Sequence, residues 1–225
     1  MRRAGFTSSL KRAFDCPLCA RSRPNYTRRV TPTDIPLFPL NSVLFPGGAL
    51  SLRIFERRYL DLVRDCARTG ASFGVCLILH GREAGETAVP AAVGTLARIV
   101  DFYTLADGLL GIRAEGGERF RVERSRVRDN GLAHGEVQLW PGEMALALPA
   151  EFGLLATILD RLLERTGSVF AKSERRLFDD ASWVGFRLAE ALPLESRERQ
   201  HLLQMADPCE RLTQIMHYLP RFQRA

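Results

Sequence analysis

The sequence predicts an α+β protein: a β-rich unit followed by a helical unit. Short apolar runs broken by proline and glycine fill residues 35–142, whereas leucines at helical spacing dominate beyond Pro149. Two strong local signals anchor the reading. Asp107-Gly108 sits between alternating apolar stretches and marks a hairpin, and Asp207-Pro208 marks a helix start.

The elements follow in order. Ile35 to Leu40 and Val43-Leu44-Phe45 read as strands, the second stopped by Pro46-Gly47-Gly48. Residues 49–55 alternate through Leu50, Leu52 and Ile54. The period then changes, because Tyr59, Leu62, Val63, Cys66 and Ala67 share one helical face and Gly70 offers a left-handed cap, so a helix spans 56–69. The continuous apolar run 73–79 is a buried strand. A long hairpin runs from Val93 to Leu105 and returns from Leu109 to Ala114. After Gly116-Gly117 a further strand, 119–123, turns Phe120 and Val122 to one side, and His134 to Trp140 closes the β-rich part with His134 in a loop. Phe152, Leu155, Leu159, Leu162 and Leu163 form one face of a helix ending near Gly167. A second helix spans 181–191, preceded by the capping pair Asp179-Asp180, and a third begins near Ser196. The fourth has Asp207 as N-cap, Pro208 at its first position and Glu210 completing a capping box, and it buries Leu212, Ile215, Met216 and Leu219. The organisation expected is a tail over 1–33, a β-rich unit over 34–142 and a helical unit over 143–225.

Charge separates the tail from the body. The chain of 225 residues carries 32 Lys+Arg against 26 Asp+Glu, a net charge of +6, with a pI near 9.4. Residues 1–33 hold eight of the basic groups and one acid, Asp15, leaving 24 basic and 25 acidic groups for the remainder. The basic pI therefore belongs to an arm that holds too little apolar surface to order itself. It is a solvated arm, an extension from a misplaced translation start with the true start at Val30, or a targeting segment. Nucleic acid is expected to meet the chain only nonspecifically, through this arm. No apolar run is long enough for a transmembrane helix, and no apolar h-region follows the N-terminus, so a cytoplasmic protein without membrane contact is expected. Five cysteines (Cys16, Cys19, Cys66, Cys76 and Cys209) fit free thiols in a reducing compartment.

Chemistry-bearing motifs are sparse. With lysine only at positions 11 and 172 there is no phosphate loop. Cys16-x-x-Cys19 is half of a zinc site with no second half at suitable spacing. Neither a serine nucleophile elbow nor an H-E-x-x-H helix is expected, and the four histidines form no constellation with acids or thiols. No cofactor, no metal and no catalytic residue are expected. Aromatic residues and prolines crowd the β-rich unit instead. Most belong to the core, and the remainder line a groove for extended or unfolded polypeptide, with Phe45, Pro46, Phe55, Tyr59 and Phe102 as candidates and Arg58 supplying a planar fork for a carbonyl or carboxylate.

Residues Ile35-Pro36-Leu37-Phe38-Pro39-Leu40, Val43-Leu44-Phe45-Pro46-Gly47, Ile54-Phe55-Glu56 with Arg58-Tyr59, Val93-Gly94-Thr95, Gly117-Glu118-Arg119-Phe120, and Trp183 to Glu190 through Leu194 occur in an order and spacing that resemble the amino-terminal domain of the Lon protease family. That domain is the substrate-binding module of an ATP-dependent protease. The resemblance covers about Ile35 to Leu219 and implies a PUA-like β-barrel followed by a helical bundle. Lon enzymes continue into an ATPase and a Ser-Lys protease domain, and neither is expected here; Ser173 beside Lys172 lacks the surroundings of that dyad. The function implied is that of a stand-alone, non-catalytic module for apolar or unfolded polypeptide, an adaptor or chaperone-like factor in protein quality control that works with a separate protease or chaperone. The alternatives are a PUA-like RNA-binding module and an enzyme with a small-molecule pocket.

Overall fold

Backbone pairing begins at Thr33 in the computed structural model, which describes residues 33–83 and 88–222; the tail and its Cys16-x-x-Cys19 pair lie outside them. Six strands and five helices follow: β1 (Thr33–Leu40), β2 (Ala49–Ile54), α1 (Arg57–Thr69), β3 (Phe73–His80), β4 (Val89–Thr104), β5 (Leu110–Val127), β6 (Ala133–Leu139), α2 (Gly153–Thr166), α3 (Ala181–Ala191), α4 (Ser196–Gln204) and α5 (Pro208–Tyr218), with short 3-10 turns between and after the helices. The sheet order is β2-β5-β4-β3-β1-β6, and β5 also pairs with β6, which closes the sheet into a barrel. Its one parallel contact among these pairings is β1 on β3, Leu37 opposite Gly74. The strand expected over 119–123 is the second half of an unbroken β5, whose first half lies against β2 and whose second half reaches β6.

β1 does not alternate in polarity because both its faces are covered. Ile35 and Leu37 join Cys76, Phe120 and Val137 in one cluster, while Phe38 and Leu40 join Phe73, Val75, Ile112 and the apolar face of α1. That helix is set by Tyr59, Leu62, Val63 and Cys66, all buried, and ends at Gly70 with φ 69°. Ala67 is exposed instead of inward. The fit between strands is close at Gly94, where a Cβ would lie 2.4 Å from the Val75 carbonyl oxygen and 2.6 Å from Cζ of Phe120.

Residues 43–45 are not a strand. Their polar groups are satisfied elsewhere: Thr95 Oγ1 donates to the Leu44 carbonyl at 2.6 Å, and the Gly48 N–H donates to the Phe45 carbonyl at 2.9 Å in a tight turn. This connection thrusts Phe45 into the helical half, where it packs among residues of α2, α3 and α5 with its ring centroid 5.9 Å from that of Phe186. Phe45 and Val93 thus carry the β half into the core of the helical half.

Guanidinium groups tie the two parts together. Arg187 on α3 donates to the carbonyls of Pro46 (2.6 Å) and Gly47 (3.1 Å) and pairs with Glu190 at 2.9 Å. Arg119 on β5 donates to the carbonyls of Leu203 and Met205 at 2.8 and 2.6 Å and meets Glu143 at 2.6 Å. Arg211 on α5 grips the same carboxylate through both terminal nitrogens and lies 3.9 Å over the Phe186 ring. Asp180 caps α3 by accepting the Trp183 N–H, and Asp207 caps α5 by accepting the Cys209 N–H, as expected. The reciprocal capping box, however, belongs to α4, through Glu195 and Glu198. On α5, Met216 is 43% exposed, so the buried stripe there is Leu212 and Ile215.

His134 is buried in β6 opposite Pro36, not placed in a loop. Its Nδ1 lies 3.3 Å from Asp34 Oδ2 yet is misaligned for a hydrogen bond. Burial, with the nearby Arg128 charge, pushes its pKa below the usual 6.5 against the opposing pull of Asp34. The native state thus binds fewer protons than the unfolded chain, so this stability is present above pH 6.5 and is lost as pH falls through the depressed native value. As pH falls from 8 to 5, the urea midpoint of His134→Gln should therefore gain on that of the wild type.

Candidate polypeptide-binding surface

Strand length leaves an apolar edge open. β4 has 16 residues, but β3 pairs with it only as far as Phe73 opposite Ala97. Beyond that point β4 is held on one side by β5, from Arg98 opposite Glu115 to Thr104 opposite Leu110. Among the described residues no strand pairs with the other side of 99–104. The ribbon is anchored by β2, whose Ile54 lies opposite Leu110, and by an ion pair at 2.6 Å between Arg53 and Asp107 in the hairpin turn.

This free edge is apolar. Val100, Phe102 and Tyr103 are 44%, 48% and 36% exposed, and Phe55, directly after Ile54, is 57% exposed. Successive strand residues face opposite sides, so Phe102 and Tyr103 stand on the two faces of the ribbon. The Tyr103 ring covers Gly111, where a Cβ would lie 2.3 Å from it. Asp101 Oδ1 accepts the Phe102 N–H at 2.9 Å. A carboxylate on a free strand, with Arg98 nearby in sequence, is the sort of protection that keeps edges from self-association.

The six expected contact residues separate accordingly. Phe55 and Phe102 stand on this surface. Phe45 is fully buried in the core of the helical half, and Pro46 is partly buried, its carbonyl taken by Arg187. Tyr59 is 6% exposed and stacked on Phe38 with centroids 3.9 Å apart. The Arg58 fork is already engaged: it donates to the Gly131 carbonyl at 3.2 Å, pairs with Glu56 at 2.9 Å and lies 4.8 Å over the Tyr59 ring. Phe45, Tyr59 and Arg58 are therefore structural, a correction to the sequence expectation that follows from burial and not from residue type. Val100 and Tyr103 were not among the expected residues. Their signal was the mismatch between an eight-residue β3 and a much longer neighbour.

Chemical alternatives find little here. The sequence does hold one G-x-S-x-G string, Gly70-Ala71-Ser72-Phe73-Gly74, contrary to expectation. It runs from the end of α1 into β3, the reverse of the strand-to-helix turn that presents a nucleophile. Cys66, Cys76 and Cys209 are buried, and burial pushes the thiols of the first two up to about 11 and about 12, away from thiolate reactivity. Among the described residues no group of three or more His, Cys, Asp or Glu side chains is placed to hold a metal ion, and no helix is long and apolar enough to cross a membrane.

A six-stranded sheet closed by the β5–β6 pairing, packed on a helical bundle and carrying an exposed aromatic ribbon, defines the class: a mixed α+β domain. Residues 34–221 match the family model of the ATP-dependent protease La (LON) substrate-binding domain, and the chain belongs to that family. Among solved structures it is similar to a Lon N-terminal domain protein from Xanthomonas campestris, at 53% identity and a TM-score of 0.70 over 83% of this chain and 98% of that one. The N-terminal domain of Mycobacterium avium complex Lon protease shares the fold at 17% identity, with a TM-score of 0.61 over 83% of this chain and 97% of that one. Among curated proteins, a Lon protease of Parabacteroides distasonis is 27% identical over 195 residues, which is 83% of this chain and 24% of that protein. Lon protease 2 of Myxococcus xanthus is 33% identical over 93 residues, 40% of this chain and 11% of that protein. The chain thus spans about a quarter or less of these proteases, and the family model it matches is that of their substrate-binding domain.

Proposed function

We propose that this chain is a non-catalytic module that binds exposed apolar or unfolded polypeptide, acting in the cytoplasm as an adaptor or chaperone-like factor beside a separate protease or chaperone. The observation that carries the reading is the unpaired aromatic edge of β4 at 99–104. An extended chain can add to such an edge once the Asp101 carboxylate gives up the Phe102 N–H, and rigid aromatics add contact area at low entropic cost. The near-neutral charge of residues 34–225 gives the RNA-binding alternative no support.

Fluorescence anisotropy with labelled unfolded peptides tests the proposal. Several apolar sequences should bind at tens of micromolar or tighter, and Phe55→Ala with Phe102→Ala should weaken binding by about tenfold or more, as loss of aromatic anchors does. Absence of binding across those sequences would sink it.

A further inference from the structure

Beyond Leu77 the opposite side of β3 is also open. β1 occupies that side only to Leu40 opposite Leu77, and α4 stands across from the strand's last residues. Between them lies an open groove of about 550 Å³ lined by Ile78, Leu79, His80, Arg197, Gln200 and His201, together with Asn41 and Ser196 at one end. We infer that this groove takes the C-terminal end of an extended polypeptide, added antiparallel to β3 with its terminal carboxylate toward Arg197 and His201.

Three observations carry the assignment. The first is charge. Arg197 and His201 are exposed, and neither their side chains nor that of His80 makes an ion pair or hydrogen bond among the described residues. Among the described residues no carboxylate lines the groove; Glu83, which accepts the Asn41 N–H at 2.5 Å, keeps its charge at the Asn41 end, so the pull on an anion comes from the side of Arg197 and His201. An anion is favoured there, and a second cation, including the basic arm of residues 1–33, is not. The second is an unmet hydrogen bond. Gln200 is 6% exposed and its Nε2 donates to the Val93 carbonyl at 2.9 Å, which leaves Oε1 buried without a donor. A peptide N–H is the kind of group that would satisfy it. The third is direction. Asn41 is fixed at both backbone groups, by Glu83 and by Ser196 Oγ at 3.0 Å, so the track beside β3 is blocked where β1 ends. A strand entering antiparallel to β3 runs toward that block and must finish there, and the end that arrives is a C-terminus.

The inference rests on the polypeptide-binding reading, and the test separates the two. Labelled apolar peptides are compared as the free C-terminal acid, as the amide, and as an amide carrying an internal aspartate. The acid should bind the full chain about tenfold more tightly than either amide, the scale of one charge-assisted hydrogen bond. Arg197→Gln should bring the acid to the level of the amide, whereas Phe102→Ala should leave the acid-to-amide ratio unchanged. Equal binding of acid and amide, a preference that survives Arg197→Gln, or an aspartyl amide that matches the acid would each overturn the C-terminal assignment while leaving polypeptide binding intact. Failure of every peptide to bind would overturn both.

Discussion

Alanine at Tyr59 lowers the stability of the protein by about 3–5 kcal/mol, the usual cost of deleting a buried aromatic ring, while alanine at Phe55 leaves it within about 0.5 kcal/mol. Tyr59 is 6% exposed, stacked on Phe38 at 3.9 Å and covered by the Arg58 guanidinium. Its removal opens a hole between α1 and the sheet and forfeits an aromatic pair besides. Phe55 sits four residues earlier on the same connection and faces solvent. Urea midpoints of the two variants check this directly, and the affinity effects should be reversed: Phe55→Ala weakens polypeptide binding in a protein that melts normally. A shared stability loss would place Phe55 in the core and remove it from the binding surface.

Alanine at Glu143 should cost about 3–5 kcal/mol, because it removes the carboxylate that two buried guanidinium groups share. The side chains of Arg119 and Arg211 are 5% and 0% accessible, and Glu143 is the carboxylate that both contact. Both cations keep backbone carbonyl partners on the segment between α4 and α5, so the loss should appear as a lower urea midpoint of one shared transition. Glu143→Gln, which retains acceptor oxygen without charge, should fall between wild type and alanine. Added salt should have little effect on either, since a largely buried pair is screened much less than an exposed one.

Local chemistry was legible where an element is decided by its own residues. Tyr59, Leu62, Val63 and Cys66 with Gly70 specify α1, and Asp207-Pro208 specifies the start of α5. It was illegible where a partner decides. Val43-Leu44-Phe45 has strand composition, but a buried plug and a buried strand look alike until the destination of their hydrogen bonds is known. Gly116-Gly117 looks like a turn, yet β5 runs through it, and Gly116 is needed because a Cβ there would lie 2.2 Å from the Phe45 carbonyl oxygen. Arg119, Arg187 and Arg211 carry no sequence sign of burial, since each donates to backbone carbonyls of another element and the acid that Arg119 and Arg211 share is distant in sequence. The candidate site divides in the same way. Phe45, Tyr59, Phe55 and Phe102 are equivalent as letters, and what separates them is which strand outlasts its neighbours.

The central claim, that the free edge of β4 receives polypeptide, is tested most directly by amide hydrogen exchange with and without a saturating apolar peptide that is amidated and carries no acidic residue. Protection should rise across residues 99–104, on β4 itself, and in the residues around Phe55, with the helical core unchanged. Binding that leaves the exchange of 99–104 unaltered would contradict the account.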